Sequence, residues 1–182
     1  DGRFNEQSRE RSSRIILDGK TYRYLLYKND SITLTISQTD IRAIQLAKAA
    51  LYAGIRLLME SYGCDRVDRI RLAGAFGGQI DVKYAMILGM IPDCPLDQVS
   101  AAGNAAGTGA RVALLDSHSR NKIEQVVEQI TKIETAIAEG FQELFVDAMA
   151  IPHSTDPFVN LDQVVALPDR RDKPVSRRRR RG

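Results

Sequence analysis

Two glycine-rich turns constrain this chain more than any other feature: Arg69 to Asp81 reads RIRLAGAFGGQID, and Ser100 to Leu115 reads SAAGNAAGTGARVALL. Each begins with a short apolar strand, passes through small residues and opens a helix. Glycine permits backbone turns that other residues resist, and the free amides at a helix start attract anions. Two such units demand a layered α/β fold, and they bring bare backbone close to whatever sits above the strand ends.

The rest of the chain fits around them. Arg14 to Leu17 and Tyr22 to Tyr27 are β-rich and flank Asp18-Gly19, a strong hairpin signal, and Ser31 to Ile36 alternates as a third strand would. Ser37 and Asp40 form a capping box ahead of a long helix, Asp40 to Tyr62, which Gly63 ends. Its apolar positions Ile44, Ala47, Leu51, Ile55, Leu58 and Tyr62 recur at helical spacing, so this face is expected to pack on a sheet. Strands are expected at Asp68 to Ala73 and Gln98 to Ala101, with helices at Asp81 to Leu88 and Asn104 to Asp116.

Beyond the second turn, Ser119 is placed to cap a helix over Lys122 to Gln129, with Ile123, Val126, Val127 and Ile130 as its buried stripe. Ile130 to Thr135 reads either as an edge strand or as more of that helix. Gly140 to Ala150 carries Phe141, Leu144, Phe145 and Ala148 at helical spacing and reads as a closing helix on the core. Pro152, Pro157, Pro168 and Pro174 then exclude a long regular element, although Phe158, Leu161, Val164 and Val165 are able to dock. Disorder is expected past Leu167.

The expected fold is therefore a mixed α/β domain, a sheet covered by helices, over residues 14–152. A polar linker precedes it at 1–13, and a proline-containing extension with a basic tail follows at 153–182. Starting at Asp1 rather than Met, the chain reads as a piece of a longer protein. Its net charge of +3 comes from the tail, because without Arg177 to Arg181 the balance is 21 positive against 23 negative. Those arginines lack interleaved aromatics, so the tail reads as a solubilising terminus and a nucleic-acid partner is not expected. No apolar stretch is long enough for a membrane span, which points to the cytoplasm. Cys64 and Cys94 lack ligand spacing and read as unpaired thiols, and His118 and His153 read as surface residues.

The turns match neither the Rossmann nor the P-loop fingerprint; Gly74, Gly77 and Gly78 give G-x-x-G-G without a phosphate-binding lysine. Asp81 reads as its helix's own N-terminal acid or as a group orienting water or magnesium. On these residues alone, a structural turn and a nucleotide site are equally good readings.

Four motifs in order, SQTDIRAIQLAKAALYAGIRLLMESYG, RIRLAGAFGGQID, MIPDCPLDQVSAAGNAAGTGARVALL and EGFQELFVDAMAIP, resemble the carboxy-terminal domain of the reductive activators of corrinoid-dependent enzymes. The resemblance covers most of Ser31 to Pro152. It implies an ASKHA-type domain, of the acetate kinase, sugar kinase, Hsp70 and actin superfamily. Family members carry a [2Fe-2S] ferredoxin-like domain upstream, and use ATP to drive an electron uphill, returning cob(II)alamin to the cob(I)alamin that a methyltransferase needs.

By this resemblance Gly74, Ala75, Phe76, Gly77 and Gly78 form the adenosine motif, with Gly103, Asn104 and Gly107 as its partner. Gln45 and Lys48, on one face of the long helix, are further candidates for the nucleotide, although a solvated helix face explains them as well. No catalytic residue is identified. The first phosphate-binding hairpin of an ASKHA site and the ferredoxin cysteines are absent from the sequence. ATP and magnesium would thus meet only part of their site here, the cluster would lie elsewhere, and the chain alone would be inactive. The expected partners are a corrinoid protein or methyltransferase client and a second copy in a homodimer. A docking or dimerisation module that keeps the fold without binding nucleotide is the alternative.

Overall fold

The computed structural model describes residues 3–135 and 137–166. The basic tail, for which disorder was the expectation, lies outside the described residues. A short helix α1 (Glu6–Arg11) comes first, capped by the Asn5 side chain on the Ser8 amide. The stretch expected as a linker is thus partly helical, and Phe4 stacks on Tyr24 at 6.2 Å while its amide donates to Gln38 Oε1.

Strands β1 (Ile15–Asp18), β2 (Thr21–Lys28) and β3 (Thr33–Ser37) form an antiparallel sheet in that order. Gly19 provides the positive φ that the first hairpin turn requires, and Arg23 pairs with Asp18 across it. The Ser37 and Asp40 box is formed in both directions: the Asp40 amide donates to Ser37 Oγ, and the Ser37 amide donates to the Asp40 carboxylate. The amide and the hydroxyl of Ser37, both donating to the Asp40 carboxylate, hold it below its ordinary pKa. Helix α2 (Gln38–Tyr62) follows and ends at Gly63 in the left-handed conformation.

Strands β4 (Ile70–Ala73) and β5 (Val99–Gly103) pair in parallel, so antiparallel and parallel strands divide between two sheets. Between them lie α3 (Gly74–Gln79), α4 (Val82–Leu88), whose N-cap is Asp81, and an ordered loop. After β5 come α5 (Ala105–Leu115), α6 (Ser117–Glu128), α7 (Phe141–Asp147) and α8 (Val159–Asp162).

The core gathers Ala49, Tyr52, Ala85, Met86, Cys94, Ala148, Phe158 and Leu161 from α2, α4, the 91–96 loop, the end of α7 and the chain beyond it. Four expectations change here. The buried face of α2 carries Gln45, Lys48, Ala49, Tyr52, Ala53 and Leu57, whereas Ile44, Leu51, Leu58 and Tyr62 are exposed. The helix packs chiefly on α7 and less on the sheet of β2 and β3. Helix α6 begins at Ser117 with Asp116 as its cap, and its stripe of Ile123, Val126, Val127 and Ile130 is exposed.

Residues 130–134 are neither strand nor helix, because the last amides of α6 turn back to Val126 and Val127 and end it at Gln129. The docking expected past Pro152 is present: Phe158 and Leu161 are buried and Val165 lies against the core, while Val164 is exposed.

Candidate functional site

Parallel pairing puts both glycine turns at the same end of β4 and β5, with Ala73 opposite Gly103. Gly74 leaves β4 with φ of +91° and Gly103 ends β5 with φ of +64°. Residues other than glycine resist this region, so the bends are written into the sequence. In an open α/β layer the carboxyl ends of the strands are where ligands gather.

The individual glycines do different things. A Cβ on Gly74, Gly78 or Gly103 would meet nothing within 4 Å, so these positions leave backbone open to approach. A Cβ on Gly77 would stand 2.9 Å from the Leu72 carbonyl carbon, so this glycine lets α3 lie against β4. Ala75 and Phe76 are exposed. Helix α3 has no side-chain cap, which leaves its first amides unmatched by side chains. Asn104 accepts the Gly107 amide at 2.8 Å, and a Cβ on Gly107 would press into that carboxamide. Asn104 is therefore the cap of α5, with its amide nitrogen still available.

Beside the first turn opens an apolar cleft of about 220 Å³, lined by Leu51, Arg71, Phe76, Gly77, Ile80 and Met90 among others. That is smaller than the roughly 300–1,000 Å³ of a complete ligand pocket. It suits one wall of a site. Among the described residues no group of three or more His, Cys, Asp or Glu side chains could hold a metal ion.

A family profile described as the C-terminal domain of RACo, the ASKHA domain, matches residues 1–162. The chain belongs to this family. The RACo-type domain is 41% identical over 114 residues to the corrinoid activation enzyme RamQ of Eubacterium limosum, covering 62% of this chain and 19% of RamQ. Its fold matches a solved reductive activator for corrinoid, iron-sulfur protein with a TM-score of 0.69 at 27% identity, over 84% of this chain and 25% of that one. It thus spans about a fifth to a quarter of these relatives. The ASKHA fold class expected from the sequence is the one observed.

Two candidates of the RACo-type domain stand elsewhere than on a solvated helix face. Gln45 donates to the Met149 carbonyl at 2.8 Å, and Lys48, only 2% exposed, donates to the carbonyls of Ala150 and Pro152. Both clasp the chain after α7. Burial lowers the Lys48 pKa to about 8. Tyr52, one turn on, donates to Asp156 at 2.7 Å, and Arg56 lies 3.7 Å from the same carboxylate. Burial, reinforced by that bond, pushes the Tyr52 phenol well above its ordinary range.

His153 is the clearest correction: the residue expected at the surface is 4% exposed. Its Nδ1 accepts the amide of Asp156 at 2.9 Å and of Thr155 at 3.3 Å, and its ring lies against Tyr52. Asp93, also missed by sequence reading, accepts both nitrogens of Asn160 and the Leu161 amide. Its signal, an acid in a proline-bounded loop, was too common to single out. Both cysteines are free thiols, Cys94 buried and Cys64 partly so.

Proposed function

We propose that this chain is the ATP-linked domain of a reductive activator that returns cob(II)alamin to cob(I)alamin for a corrinoid-dependent methyltransferase. The observation that carries this reading is the pairing of two glycine turns, Gly74 to Gly78 and Gly103 to Gly107, at the carboxyl ends of adjacent parallel strands. Open backbone at Gly74, Gly78 and Gly103 would receive the ribose and base, with the free amide nitrogen of Asn104 as a donor. RamQ and the solved activator, named for corrinoid activation, support the client class.

In this reading the chain provides one wall of the ATP site at residues 14–152, and magnesium is held mainly by the nucleotide and the opposite wall. Gln45 and Lys48 act behind that wall, fixing α2 through the carbonyls of 149–152 rather than touching the nucleotide. The [2Fe-2S] cluster and the electron path lie in other parts of the activator, the setting is the cytoplasm, and the working unit is a homodimer. ATP acts by favouring one conformation of the activator over another, and only its differential affinity for the two can be converted to work. The reading is tested by thermal melting with and without Mg-ATP. A ligand at a hundred times its Kd adds about 2.7 kcal/mol, and a full-length activator containing this domain should show such a shift.

The α5 and α6 helices favour the second reading, a docking or dimerisation module. Leu114, Leu115, Val126 and Val127 are more than half exposed, and neither helix buries a residue. Sedimentation of wild type against Val126→Glu, beside Mg-ATP titration of both, separates the two: self-association lost in the variant, with no Mg-ATP binding by either protein, assigns the chain to assembly alone.

A further inference from the structure

The segment after α7 is held by one stripe of α2. Gln45, Lys48, Tyr52 and Arg56 recur at three and four, and all reach residues 149–156. His153 sits inside this clasp. With Nδ1 accepting two backbone amides, its proton must reside on Nε2, which is buried with no hydrogen-bond partner among the described residues. The ring is held in its neutral form by geometry: a second proton would have to enter at Nδ1, where two N–H groups already point.

We propose that His153 is a proton-operated latch, which holds the segment Met149–Asp156 on α2 while neutral and releases it when protonated. The charges facing it come from three elements. Lys48 and Arg56 of α2 oppose a new cation, whereas Asp156 of the same segment and Asp147 of α7 favour one. Burial is the largest influence, and with Lys48 and Arg56 it outweighs the two carboxylates and lowers the His153 pKa below its ordinary value. Protonation places a third positive charge beside Lys48 and Arg56 and removes the acceptor for the Asp156 and Thr155 amides.

Opening has a path through the structure. The Pro152 carbonyl, which accepts from Lys48, lies directly over Gly89 at the end of α4, and Phe158 follows into the core. Leu51, between Lys48 and Tyr52, lines the cleft beside the first glycine turn. Release of the segment therefore uncovers one face of the helix that backs that turn, while the helix itself stays formed. The latch needs only the clasp and works whether or not nucleotide binds.

The test is amide hydrogen exchange of the whole chain at neutral pH and at about one unit below the ordinary histidine value of 6.5, corrected for intrinsic rates. The amides of Thr155 and Asp156 should open up to about tenfold more at the lower pH, while the middle of α2 stays protected. His153→Gln and His153→Phe should remove the dependence. Acid opening that persists in either folded variant, or none in wild type, overturns the latch. Should both variants fail to fold, NMR titration of the His153 ring in wild type decides. Half-protonation below the ordinary value supports the latch, and at or above it refutes it.

Discussion

The carbonyl oxygen of Pro152 lies over Gly89 so closely that a Cβ there would stand 2.0 Å from it. Gly89 also ends α4 at φ of +70°. One glycine thus serves the helix terminus and the close approach of the closing segment. Gly89→Ala should lose about 1–2 kcal/mol from the left-handed conformation and more from the overlap, at least about 3 kcal/mol in all. Gly19→Ala, with positive φ and open space, should lose only the first part. Urea unfolding of both variants checks the contrast; equal losses would contradict it.

Lys48 gives a pH signature. Its pKa falls from 10.5 to about 8 on folding, so between those values the unfolded chain binds the extra proton and stability rises with pH. Wild type should gain on Lys48→Met across that window by up to about 3 kcal/mol. Other groups titrate equally in both proteins and cancel. A difference that is flat with pH would place the ammonium in solvent.

Asp93 anchors the start of α8 through three hydrogen bonds from Asn160 and Leu161. Asp93→Ala leaves these donors without that acceptor and should lower stability by about 1–3 kcal/mol. Loss of exchange protection should center on residues 158–165. Chemical denaturation and hydrogen exchange together check amount and place.

Gly78 separates stability from binding. It lies inside α3 with open space where a side chain would go. Gly78→Leu should fold at least as well as wild type, with up to about 1 kcal/mol gained from helix propensity. It should nonetheless weaken Mg-ATP binding tenfold or more by covering the turn. Calorimetry on a full-length activator carrying the substitution measures both.

What the sequence revealed was local. The Asp18-Gly19 hairpin, the Ser37 and Asp40 box and the helix ends at Gly63 and Gly89 each depend on residues within one turn of each other, and all stand where expected. What it concealed was long-range. Lys48 meets Pro152 across 104 residues, and a lysine read from periodicity alone belongs to a solvated face. The same holds for His153, buried by partners on α2, and for the apolar stripes of α2 and α6, which periodicity identifies without saying what covers them. At the candidate site, the turns were legible because glycine marks positive φ. That Asn104 caps α5 and Gly77 packs on Leu72 required the fold.

In the proposed function the two turns form one wall of an ATP site. Even a millimolar half-site, worth only about 4 kcal/mol, is visible by NMR. Titrating this chain with Mg-ATP should move the amides of Gly74 to Gly78 and Gly103 to Gly107 together, saturably and with one apparent Kd. Unmoved turn amides at saturating nucleotide, or shifts confined to the arginines at 177–181, would contradict the account.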